Sequence, residues 1–209
     1  MIDIIIIKEI VMANYYKTPP EGYKVYKVID ATDKKVGIRL NLVALAIILV
    51  ILAGLYFLLL WGYKLTANDL IVYLIVMILG YVAYIVTHEL LHGLAYKLLT
   101  KQKLTFGLTL TVAFCGLKEG YVNKKTALIS ILAPFVVHSL WMIPCLFLIE
   151  PSGLLLAIIF LFASHVGGCV GDFYGTITLI KAPSDVLMCD TGPKQTFLSA
   201  TVNKTEENQ

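Results

Sequence analysis

Four long apolar stretches limit what this chain can fold into more than any other feature. The first lies between Arg39 and Lys64, the second runs from Leu70 through HELLHGLAYKLL, the third follows Lys125, and the fourth begins near Pro151. Crossing about 30 Å of hydrocarbon takes about 20 residues of α-helix, and each stretch reaches that length. We therefore expect helices at about 40–63, 69–99, 126–149 and 152–181. Composition agrees: 58% of residues are hydrophobic and 15% charged, against about 45–50% and 25% in soluble domains. The expected class is an all-α integral membrane protein with four transmembrane helices.

The basic residues orient it. Seven precede the first helix, from Lys8 to Arg39, and six lie near the link between helices two and three, from Lys97 to Lys125. The two other links carry only Lys64. The positive-inside rule then places both termini and the second link in the cytoplasm, in a multi-pass protein of the cell membrane. The net charge of +3 follows from that topology and implies no nucleic-acid partner. Residues 1–38 form a cytoplasmic N-terminal segment, 39–182 the helical domain, and 183–209 a cytoplasmic tail. Ile4–Ile7 are too short and too poorly flanked for a signal peptide, and Met12 is an alternative start. Cys115, Cys145, Cys169 and Cys189 share no zinc-knuckle spacing and suggest no disulfide framework.

One link differs from the rest. From Leu104 to Phe114 apolar residues occupy every even position, with Thr, Gly or Ala between them. Such alternation is a strand signal. It is either a hairpin against the bilayer or a sheet edge that pairs with an extended substrate, with Leu108, Leu110 and Val112 as the substrate-binding strand.

Ionisable groups inside hydrocarbon cost about 2.5–3.5 kcal/mol each, so the few present are functional candidates. Glu89 and Asp172 are the acidic ones, and His88, His92, His138 and His165 all fall in the apolar stretches. His88-Glu89-Leu90-Leu91-His92 is HExxH. On a helix, residues four apart stand one above the other, so both imidazoles can bind one Zn²⁺ while Glu89 serves as general base. A catalytic zinc needs a third protein ligand. Asp172 lies about 31 Å of helix from Pro151, and His88 about 28 Å from Asp69, so the two share a depth near the cytoplasmic side. His165 is the rival third ligand. Paired with His138, it is otherwise a buried polar residue or an oxyanion partner. Gly167, Gly171 and Gly175 recur every four residues, a spacing that lets membrane helices pack closely.

With HELLHG on the second helix and Gly171-Asp172 on a glycine-rich fourth, the chain resembles the bacterial putative zincin peptidases. These are small multi-pass membrane proteins similar in plan to site-2 intramembrane metalloproteases. The resemblance extends to PPEGYKVYKVID and to the ILAP stretch at Ile131–Pro134. It implies His88, His92 and Asp172 as zinc ligands and Glu89 as general base. In site-2 proteases the aspartate sits in an LDG-type motif, whereas here the glycine precedes it, and no Asn-Pro pair lies nearby. The implied activity is zinc-dependent cleavage of membrane-protein segments or signal peptides near the cytoplasmic face. A non-catalytic metal-binding scaffold is the alternative. An ion transporter would need more polar residues along its path, and helix one offers none beyond Asn41.

Overall fold

The structure, a computed structural model, describes residues 14–108 and 113–201. The described chain is mostly helical, with four helical segments long and apolar enough to cross a membrane and two small antiparallel sheets. The helices are α1 (Lys34–Leu59), α2 (Ala67–Thr100), α3 (Lys124–Leu148), α4 (Gly153–Gly168) and α5 (Val170–Lys181). The strands are β1 (Tyr15–Tyr16), β2 (Lys24–Asp30), β3 (Leu104–Leu108), β4 (Ala113–Leu117), β5 (Tyr121–Asn123), β6 (Leu187–Asp190) and β7 (Lys194–Ser199). The chain divides into two compact units, residues 38–88 with 133–171 and residues 1–37 with 89–132 and 172–209.

The first unit is helical. Its core gathers Leu60, Tyr84, Met142, Leu146, Leu155, Ile159 and Leu161, so α4 is the buried helix, while α1 has no buried residue at all. Outward faces carry Leu49, Val50, Leu58, Leu79, Leu140 and Leu148. Asp69 ties two helix starts together. Its Oδ2 accepts from the Thr66 amide at 2.9 Å, the Thr66 hydroxyl at 2.7 Å and the Tyr63 hydroxyl at 3.1 Å, while Oδ1 accepts from the Gly153 amide at 2.8 Å. Only glycine fits at 153, because a Cβ there would run into the Asp69 carbonyl oxygen. Gly153→Ala should therefore cost about 1–3 kcal/mol of overpacking and lower the thermal midpoint in detergent. Gly54→Ala, where a Cβ meets nothing within 4 Å, should hold or raise it through helix propensity. Equal midpoints for the two variants would contradict the packing at Gly153.

The fourth predicted helix is two helices. It ends at Gly168, with Cys169 as its C-cap, and restarts at Val170, which puts His165 on α4 and Asp172 on α5. The glycine stripe serves packing only in part. A Cβ at Gly167 would strike Ile48, and one at Gly175 would strike Gln195, but Gly171 has open space.

The second unit contains what the all-α expectation lacked. A five-stranded sheet in the order β1-β5-β6-β7-β2 is built from the N-terminal segment, the chain before α3 and the C-terminal tail. Its long pair joins β2 to β7, Lys24 opposite Ser199 and Asp30 opposite Lys194. Ile29, Tyr96, Leu117, Val122, Ile131, Leu179, Met188 and Phe197 form the core beneath it. The turn between β6 and β7 needs Gly192, whose φ is +98°, a left-handed backbone that side chains resist.

In the alternating stretch residues 104–108 form β3 and 113–114 begin β4, and the two strands pair antiparallel. Leu104 faces Leu117 and Leu108 faces Ala113 across the pair. Leu108 ends β3, while Leu110 and Val112 lie outside the described residues. So do Ile4–Ile7, Met12 and the NKTEENQ terminus.

Candidate metal centre

Helix α2 carries the HExxH residues without interruption, so His88 and His92 share one face a turn apart. Both are buried, and Glu89 between them is half-buried. Gly93 follows directly. A Cβ there would stand 2.7 Å from the Phe106 ring and 3.1 Å from Cys115 Sγ. These two residues face each other across the β3–β4 pair, so the hairpin seats on α2 at the end of the motif. The neighbours that approach Gly93 so closely are side chains, those of Phe106 and Cys115. Burial pushes the Cys115 thiol up to about 12, with the negative charges of Glu89 and Asp190 adding to the effect.

His92 is oriented from behind by a consequence of proline chemistry. Pro134 lies inside α3 and has no N–H, so the carbonyl four residues earlier, on Ser130, loses its helical donor. His92 Nδ1 donates to that Ser130 oxygen at 2.8 Å. A carbonyl only accepts, so the proton sits on Nδ1 and Nε2 is the lone-pair nitrogen. Nε2 lies 3.5 Å from Asp172 Oδ1. Two ligands of one tetrahedral zinc, each bound at about 2.1 Å, stand about 3.4 Å apart. The pair therefore fits that geometry, and two imidazoles with a carboxylate suit zinc chemically.

Asp190 was not anticipated. It lies on β6, fully buried, and its carboxylate accepts from the Tyr96 hydroxyl at 2.7 Å and from the Gly192 amide at 2.9 Å. Burial raises its carboxyl to about 6, against the lowering effect of those two bonds. No local motif announces it. Tyr96 four residues after His92 was the available hint, since a buried phenol needs a partner.

The remaining histidines belong to the helical unit. His138 Nδ1 accepts from Trp141 Nε1 at 3.2 Å, and its Nε2 lies 3.4 Å from the Thr87 hydroxyl. His165 is completely buried, with Nε2 at 3.1 Å from Ser139 Oγ and Nδ1 at 3.4 Å from the Tyr84 hydroxyl. Tyr84 also lies 3.1 Å from His88 Nδ1. The sequence reading omitted Tyr84, Ser130 and Ser139 because single hydroxyl residues in apolar helices carry no pattern.

A family model described as putative zincin peptidase matches residues 81–187, half of the chain. The chain belongs to that family. The match begins just ahead of Tyr84, ends at Leu187, and holds all four histidines together with Glu89 and Asp172. For a zincin peptidase, metallopeptidase is the activity class the family suggests and zinc the metal it implies. Neither the curated proteins nor the solved structures give a match to this chain.

Proposed function

We propose that this zincin peptidase is an intramembrane metalloprotease of HExxH type that hydrolyses peptide bonds of membrane-associated substrates near the cytoplasmic face. His88, His92 and Asp172 hold the zinc, each offering one ligand atom. The observation that carries the reading is the 3.5 Å approach of His92 Nε2 to Asp172 Oδ1, joining residues far apart in the chain and next to the only HExxH in it. When bound, zinc supplies a Lewis acid at the scissile carbonyl and makes water acidic enough to attack near neutral pH. Glu89 takes the proton from the attacking water and returns it to the leaving nitrogen. Ser130 holds His92 in its ligand orientation throughout.

The membrane setting is supported by the four apolar helical segments and by the uncovered Leu, Ile and Val on their outer faces, which water would not tolerate over such an area. Both termini lie in the cytoplasm by the distribution of lysines. The hairpin carrying Leu108, which seats against Gly93, offers an unpaired strand edge to a substrate. Pairing there holds the peptide extended, and an extended peptide exposes carbonyls that a helix hides. Substrates of this class are membrane-spanning segments or residual signal peptides.

Elemental analysis of the detergent-purified wild type tests the metal. About one zinc per chain is expected. A metal-free protein after incubation with zinc would sink the protease reading, leaving HELLH as a buried hydrogen-bonded cluster.

A further inference from the structure

Four polar side chains in the helical unit form a line. Ser139 Oγ lies 3.1 Å from His165 Nε2, His165 Nδ1 lies 3.4 Å from the Tyr84 hydroxyl, and that hydroxyl lies 3.1 Å from His88 Nδ1. Tyr84, His88 and His165 are all buried. Burial makes each of these hydrogen bonds costly to lose, so the donors and acceptors must alternate correctly along the line.

One assignment of protons satisfies every link when His88 binds metal through Nε2, the ring nitrogen that does not face Tyr84. Nδ1 of His88 then carries the ring proton and donates to the Tyr84 oxygen. The Tyr84 hydroxyl has one proton, which it donates to His165 Nδ1. His165 Nδ1 is therefore an acceptor, its proton sits on Nε2, and Nε2–H donates to Ser139 Oγ. Cys169 Sγ lies 3.8 Å from the same His165 nitrogen. His88, His165 and Cys169 by themselves are also a set that can hold a cation. The Tyr84 hydroxyl already contacts the Nδ1 atoms of both histidines, so hydrogen bonding satisfies them instead.

We propose that Tyr84, backed by His165 and Ser139, is a positioning residue that accepts from His88 Nδ1–H and fixes the ring orientation of His88 when metal is bound at Nε2. It is the counterpart of the Ser130 carbonyl at His92. The two ligand histidines are thus set by different means, one by a backbone oxygen freed by Pro134 and the other by a relay of side chains across three helices. Supporting partners of this kind typically carry a 10–100-fold effect on metal affinity. The inference rests on the zinc reading and deepens it.

The test compares zinc affinity, by chelator competition, in the full-length wild type, Tyr84→Phe and Ser139→Ala, with ring ¹⁵N NMR of the histidine-labelled, zinc-loaded proteins. Tyr84→Phe should weaken zinc binding by about 10–100-fold. Ser139→Ala should weaken it by about tenfold, although the lost hydroxyl is three hydrogen bonds away from the His88 ring. In the zinc-loaded wild type the His88 Nδ1 shift should be that of a hydrogen-bonded N–H, and in Tyr84→Phe it should move toward the unbonded value. A packing role alone would lower the thermal midpoint of the apoprotein but leave the zinc constants and the ring shifts in place, which overturns the proposal. So would two zinc ions per wild-type chain with the second lost in Cys169→Ala. Wild type that binds no zinc fails the protease reading; wild type that binds zinc alongside an equally tight Tyr84→Phe fails only this one. Should Tyr84→Phe not fold, the Ser139→Ala constant decides.

Discussion

Replacing Glu89 by glutamine is expected to abolish peptide hydrolysis and leave the zinc in place. Glutamine keeps the size of the side chain and one carbonyl acceptor but has no basicity, so it cannot take the proton from the attacking water. General acid–base catalysis contributes about 10²–10⁴-fold, and Glu89 serves both proton transfers in the proposed reaction, so a loss toward the upper end of that range is expected. The metal should stay because its ligands, His88, His92 and Asp172, are untouched. The measurement pairs zinc content with cleavage of a membrane-segment substrate. Cleavage preserved in Glu89→Gln would refute the general-base role. A wild type that holds zinc and cleaves no membrane peptide would favour the scaffold reading, in which the same three ligands serve without hydrolysis.

Replacing Asp172 by alanine should empty the site, taking zinc from about one per chain to near zero at equal protein and zinc concentrations. Two imidazoles on one helix do not complete a catalytic zinc site, which takes three protein ligands and one open position. Asp172 is the carboxylate that meets His92 Nε2, and it stands on α5, beyond the break at Cys169. Zinc retained in Asp172→Ala would pass the third-ligand role elsewhere. His165 is a poor successor: it lies on α4, with its two nitrogens at Ser139 and Tyr84.

Features governed by neighbours in sequence were legible from the sequence. Helix propensity and hydrophobic length act over tens of consecutive residues, so the four apolar segments could be located. The i, i+4 spacing of His88 and His92 fixes their common face whatever surrounds the helix. Alternation from Leu104 to Phe114 marked β structure, because side-chain direction in a strand alternates by covalent geometry. It could not show that the segment folds back on itself, with Phe106 and Cys115 meeting over Gly93.

Tertiary structure decided the rest. The five-stranded sheet joins residues at opposite ends of the chain, and its strands are too short and too mixed in polarity to be recognised alone. Pro134 was visible in the sequence, but the use of the freed Ser130 carbonyl depended on His92 arriving opposite it. The same holds for Tyr84, which reads as one more aromatic in an apolar helix until His88 and His165 are placed on either side of its hydroxyl. A residue's chemistry and its place along a helix are local properties that the sequence carries. The partner that satisfies a buried polar atom is a property of the packed chain, because that partner is drawn from wherever the fold brings a complementary donor or acceptor within about 3 Å.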